Sequence, residues 1–157
     1  MKNNVLITVL FVLLALTFVS CKSTPKFSDV TGKEWLLVEI KSDTQGLTFD
    51  RKNLKNEGFA EIFTLNFDGE RISGVGAPNR YTAPFKVEKN QVISIKLVAS
   101  TLMMPIREPE RLKEQDYFTY LQNAYKWNFT KEGKFELYSK NKDKAEAVLI
   151  FSLGTSK

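Results

Sequence analysis

Residues 59–75 read FAEIFTLNFDGERISGV. Within them Phe63, Leu65 and Phe67 alternate with Thr64 and Asn66, the two-residue period of a strand that buries one face. Asp68-Gly69 follows as a tight-turn pair, because glycine enters the left-handed region without a Cβ clash. Arg71–Val75 then returns as a second strand, and Gly74, Gly76 and Pro78 end regular pairing. A strand, a short turn and a strand in so short a stretch predict an antiparallel hairpin.

The same signature recurs outward in both directions. Glu34–Ile40 (EWLLVEI) is rich in strand formers, and the first arm of the hairpin is placed over Phe59–Phe67. Residues 41–58, polar and poor in apolar anchors, predict a long loop. Tyr81–Val87 sets Tyr81, Ala83, Phe85 and Val87 on one side. Lys89-Asn90 turns into Gln91–Val98, with Ile93, Ile95 and Leu97 expected inward. Lys126–Thr130, Lys134–Ser139 and Ala145–Leu153 bring the count to about eight strands, with turns at 131–133 and 141–143. One stretch breaks the period: Phe118, Leu121 and Ala124/Tyr125 follow helical spacing. A helix is predicted over Pro109–Tyr125, with Pro109 at its first position and Glu110, Glu114 and Asp116 in its early turns. The expected fold is α+β, mainly β: an antiparallel barrel-like sheet with one packed amphipathic helix. Closing the sheet would remove its exposed edges.

The amino terminus has a different character. Lys2 precedes an apolar run at residues 5–19 (VLITVLFVLLALTFV), shorter than the roughly 20 residues a comfortable membrane span needs. The run ends at Phe18-Val19-Ser20-Cys21, which resembles a bacterial lipoprotein signal. That resemblance implies cleavage before Cys21, diacylation of its thiol and acylation (palmitate) of its freed amine. Residues 1–20 are therefore expected to be a signal peptide, 21–31 a lipidated tether and 32–157 the folded domain. Two or more acyl chains would anchor the protein stably to a membrane. Lys22 would suit outer-membrane delivery under the enterobacterial sorting rule, with the domain facing the periplasm or the cell surface.

Composition narrows the chemistry. The chain has 157 residues, no histidine and one cysteine, with a formal charge of +5. Ser-His and Cys-His catalysis and imidazole-ligated zinc are excluded, as is an intrachain disulfide. The basic excess is too diffuse for a nucleic-acid surface, no phosphate-binding glycine loop is present, and no cofactor is expected.

Four features occur in order: Gly32, Trp35 and Leu37 as Gly-x-x-Trp-x-Leu; Arg71-Ile-Ser-Gly74; Asn79-Arg80-Tyr81; and Leu97-Val-Ala-Ser-Thr101-Leu-Met-Met104. A Phe-x-x-x-Leu helix and a Trp-bearing strand follow. This order resembles the META domain (HslJ-like) family over about residues 32–152. The resemblance implies a conical antiparallel barrel with a packed helix, no established enzymatic activity, and a part in envelope integrity or stress response. In the family a Gly-Cys pair usually precedes the Asn-Arg element, and a second Cys often follows the Met-containing motif. Ala77-Pro78 and Pro105 stand there in this chain.

Asn79, Arg80 and Tyr81 are the candidate recognition spot: Arg for a carboxylate or phosphate, Asn for a directed amide, Tyr for stacking. The plainer alternative has Asn79 bonding loop backbone while Tyr81 opens a strand. Trp35, Phe63, Met103, Met104, Phe118 and Trp127 could line a hydrophobic cavity, or simply fill the core. Glu108, Glu110, Glu114 and Asp116 read as a solvated helix face, and Lys140, Lys142 and Lys144 as a solubilising turn. The function expected is that of a non-catalytic, lipid-anchored envelope protein that binds an unknown protein or supports the envelope under stress. A carrier of an apolar ligand or acyl chain is the alternative.

Overall fold

The structure, a computed structural model, describes residues 26–43, 46–104, 107 and 109–154. Cys21, the leader before it, Pro105 and Glu108 lie outside the described residues. Among the described residues ten strands run in chain order: β1 (Glu34–Ser42), β2 (Leu47–Thr48), β3 (Thr64–Asp68), β4 (Arg71–Val75), β5 (Arg80–Val87), β6 (Ile93–Ile95), β7 (Ala99–Ser100), β8 (Lys126–Phe129), β9 (Phe135–Lys140) and β10 (Glu146–Leu153). Among the described residues two α-helices interrupt them, α1 (Arg51–Asn56) and α2 (Glu114–Gln122).

Eight of the strands form one antiparallel path, β6-β5-β4-β3-β1-β10-β9-β8, with β2 added to β1 and β7 to β5. Val92 bridges Lys126, and the Ile93 N–H donates to the Tyr125 carbonyl at 3.2 Å, so the two ends of the path meet. The sheet is a nearly closed barrel, as the alternating pattern predicts. Helix α2 spans the remaining gap. Gln122 Oε1 accepts the Val98 N–H at 2.8 Å on one side, and Ser139 Oγ donates to the Tyr120 carbonyl at 2.5 Å on the other. The Val98 N–H, outside the strands, and the Tyr120 carbonyl in the last turn of α2 thereby gain partners.

The interior holds two aromatic groups. At one end Phe27 packs against Phe67 and Trp127 with ring centroids 5.1 and 5.0 Å apart, and Phe67 continues to Phe135 at 5.3 Å. At the other end Phe63 meets Tyr117 at 5.1 Å, and Tyr81 meets Phe118 at 5.2 Å. Leu37, Leu65, Leu137 and Leu149, all fully buried, belong to the same core.

The structure departs from the sequence expectation in five places. The stretch read as a loop contains α1, because the Asp50 carboxylate caps it by accepting the Lys52 and Asn53 N–H groups and Leu54 is buried beneath it. Strand β3 starts at Thr64 instead of Phe59: Phe63 has φ 53°, and its N–H donates to the Gly76 carbonyl instead of a sheet neighbour. Arg51 holds the preceding residues by donating to the Ala60 and Ile62 carbonyls, and burial lowers its pKa. Helix α2 begins at Glu114, with Lys113 still extended, so Pro109 is buried but not helical. Phe27–Thr31, assigned to the tether, is folded in; Val30 is fully buried and its carbonyl accepts the Trp35 Nε1–H at 2.9 Å. Finally Leu97, expected inward, is exposed, because the chain leaves regular pairing after Ile95.

All five tyrosines have phenol pKa values raised in the fold. Burial is the main cause at Tyr81, Tyr117, Tyr120 and Tyr138. Tyr125 is pushed up to about 12, chiefly by its hydrogen bond to Glu146. A raised folded pKa means that the neutral phenol is favoured in the fold, so this stability is fully present below the ordinary value of about 10 and is lost as pH rises past it. Absorbance titration should therefore begin above about pH 10, with loss of sheet circular dichroism accompanying ionisation of the buried Tyr81 and Tyr117. Ionisation of all five near pH 10 with an unchanged fold would contradict this packing.

Candidate functional site

Asn79, Arg80 and Tyr81 sit where the loop after β4 enters β5. The loop closes on itself: the Gly76 N–H donates to the Asn79 carbonyl at 2.7 Å around a cis Ala77-Pro78 peptide bond. From 35 residues downstream, the Glu114 carboxylate grips it. Its Oε1 accepts the Ala77 and Asn79 backbone N–H groups at 2.6 and 2.7 Å, and its Oε2 accepts Asn79 Nδ2 at 2.7 Å. A Cβ at Gly76 would stand 2.5 Å from Glu114 Oε1 and 2.8 Å from Phe118 Cζ, so the close approach of loop to helix requires glycine.

Asn79 is only 6% exposed and uses both ends of its amide. Besides Glu114, Nδ2 donates to the Met103 carbonyl at 3.2 Å. Oδ1 accepts Thr101 Oγ1 at 2.8 Å and the Met103 N–H at 2.7 Å. One side chain thus joins the loop, α2 and residues 101–103.

Tyr81 is also committed inward. Its hydroxyl donates to the Thr64 carbonyl at 2.7 Å, and the Tyr117 hydroxyl donates to the same oxygen at 3.1 Å. Gly74 belongs to this arrangement: a Cβ there would overlap the Thr64 carbonyl oxygen and lie 2.9 Å from the Tyr81 hydroxyl. Arg80 points the other way. Its side chain is exposed and makes no hydrogen bond or ion pair among the described residues. The candidate triad is therefore split. Asn79 bonds loop and segment backbone, Tyr81 lies near the start of a strand, and Arg80 alone faces solvent.

The six candidate cavity residues divide as well. Trp35, Phe63, Phe118 and Trp127 are buried in the packed core. Met103 and Met104 correct the expectation: they lie on the surface at 52% and 91% exposure, since the chain there runs outside the barrel. Two grooves of about 380 and 390 Å³ do exist, but on the outer face, and none of the six lines them. They share Phe59 and Arg107, whose guanidinium lies 4.9 Å from the Phe59 ring centroid and donates to the Glu57 carbonyl.

The acidic set does not form one solvated helix face. Glu110 is exposed ahead of the helix, Asp116 is half-buried, and Glu114 is the loop's anchor. Among the basic turn residues, Lys140 pairs with Glu146 at 3.0 Å, while Lys142 and Lys144 are exposed. Among the described residues no group of three or more His, Cys, Asp or Glu could hold a metal ion. Sequence reasoning missed Glu114 and Arg51 as structural anchors. Asp50 in front of a polar stretch was the legible signal for α1; no local signal marks a partner 35 residues away.

Two substitutions test this geometry. Glu114→Gln sets an amide NH₂ against donors, because Asn79 Oδ1 already serves Thr101 and Met103. It should lower stability by about 1–3 kcal/mol in urea titration. Gly74→Ala should cost about 1–3 kcal/mol or more by overpacking. Wild-type midpoints for both variants would refute the arrangement.

Comparison with known proteins agrees with this architecture. A protein from Burkholderia xenovorans, solved by NMR, superposes with a TM-score of 0.61 at 16% identity, covering 87% of this chain and 96% of that one. A crystallised DUF4847 family protein from Bacteroides vulgatus superposes with a TM-score of 0.54 at 13% identity, covering 83% and 99% respectively. At such identities the likeness concerns the fold alone. No curated protein matches the chain. The META domain pattern matches residues 28–151, which takes in the folded Phe27–Thr31 region almost entirely, and the chain belongs to the META domain family.

Proposed function

We propose that this protein is a non-catalytic, lipid-anchored component of a bacterial cell envelope, resembling HslJ-like proteins in serving as a binding or stress-support module. The observation that carries the reading is the placement of the sole cysteine, Cys21, directly after the apolar run and Val19-Ser20. Acylation there would hold the domain against a membrane, with the outer membrane as the proposed location. Membership of the META domain family and the outward Arg80 support a module that works through its surface. A carrier would need an internal cavity among Trp35, Phe63, Phe118 and Trp127. Those side chains are packed in the core instead, so no specific observation favours that alternative.

Expression of the full chain in a bacterium tests the anchor. Mass analysis of the mature protein should find Cys21 as the first residue with acyl chains attached, and detergent partitioning should place it in the detergent phase. Cys21→Ala should abolish both properties. An unmodified mature terminus, or a variant that still enters the detergent phase, would rule out this anchor.

A further inference from the structure

Residues 96–104 read KLVASTLMM, and Leu97, Leu102, Met103 and Met104 are 81%, 94%, 52% and 91% exposed. Exposed apolar residues scattered singly need no explanation, but this many within eight residues form a patch. Exposure this nearly complete means that Leu97, Leu102 and Met104 stand proud of their neighbours instead of lining a flat or concave face.

The backbone beneath them is held firmly. β7 pairs with β5, the Val98 N–H donates to Gln122 Oε1, and the Thr101 N–H donates to the Arg80 carbonyl at 3.0 Å. Asn79 grips Met103 through both its N–H and its carbonyl. The buried carboxamide thus helps fix a segment in which Val98 packs against the core while Leu97, Leu102 and Met104 stay largely exposed.

The exposed charge flanking the segment is basic, while the nearby Glu114 carboxylate is half-buried and bonded to Ala77 and Asn79. Residues 96–104 contain no acidic residue, Lys96 is exposed at the start, and Arg80 stands exposed and unpaired beside Thr101. Protruding Leu and Met side chains flanked by basic groups match an anionic lipid interface, where the apolar tips enter the acyl boundary and the cations meet headgroups. A protein partner of ordinary size needs about 800 Å² of complementary face, more than this short protruding segment offers.

We infer that Leu97–Met104 is a membrane-contact segment that inserts its exposed Leu102 and Met104 into an anionic lipid surface while Arg80 and Lys96 engage its headgroups. The inference rests on the envelope reading for where the protein would meet lipid, but it does not require Cys21 to be acylated.

The test uses a chain starting at Lys22, which retains the whole buried core, built from residues 30–151. It is floated with vesicles of phosphatidylglycerol and phosphatidylethanolamine, or of phosphatidylcholine alone. The wild type should float with the anionic vesicles and release as salt is raised. The double variant L102S/M104S should bind at least about tenfold more weakly, with an unchanged thermal midpoint. R80Q/K96Q should lose the preference for anionic lipid while keeping its fold. A wild type that stays off both kinds of vesicle, or a double variant that floats equally well, would overturn the inference. Sedimentation showing a wild-type dimer that L102S/M104S dissociates would overturn it in favour of self-association. None of these outcomes depends on lipidation, so failure here and failure of the Cys21 anchor are separable.

Discussion

The side chain of Asn79 ties the loop after β4 to α2 and to residues 101–103. It is a short carboxamide, buried and bonded at both ends, to Glu114 of α2 and to Thr101 and Met103 of the segment after β7. Removing one partner from such a network leaves a buried donor or acceptor unmatched, which costs more than the bond itself contributes. The arrangement is therefore all or nothing. Glu114 cannot take its place without bringing α2 against the loop, and the loop cannot approach α2 unless residue 76 lacks a side chain. That constraint fixes the course of residues 101–103 and, together with the buried Tyr117, Phe118 and Leu121 and the Gln122 and Ser139 bonds, the seating of the helix.

The barrel itself was legible from the sequence because its information is local. Phe63, Leu65 and Phe67 alternate, Asp68-Gly69 turns the chain, and the paired strands follow in order; each signal lies within a few residues of what it specifies. The helix was legible only in its buried stripe. Phe118 and Leu121 were evident from spacing, but the starting residue was not, because Glu114 takes part in a contact 35 residues away in sequence. Pro109 and the acidic residues around it fit a generic helix start equally well. Phe27 was misplaced for the converse reason: a polar, Pro-containing neighbourhood reads as tether, while its ring has a slot between Phe67 and Trp127 that only the closed barrel creates.

The candidate site shows the same division. Arg, Asn and Tyr in a row after a Gly/Pro-rich loop suggest recognition, yet strand geometry sends neighbouring side chains to opposite faces. Asn79 and Tyr81 go inward and Arg80 outward, so the motif serves as a fastening with one outward charge. The Met-containing motif divides differently. Its backbone is fastened to Asn79 while its side chains face solvent. Aromatic side chains occupy the interior, and the chemistry left for other molecules lies on the outside.

Amide hydrogen exchange followed residue by residue tests the Asn79–Glu114 network most directly. The account predicts that the N–H groups of Ala77, Asn79 and Met103 exchange as slowly as those of β5, and that Glu114→Gln releases all of them together while the hairpin of β3 and β4 stays protected. Met103 exchanging in the wild type at the rate of an open coil, with β5 still protected, would show that the segment is not held at all.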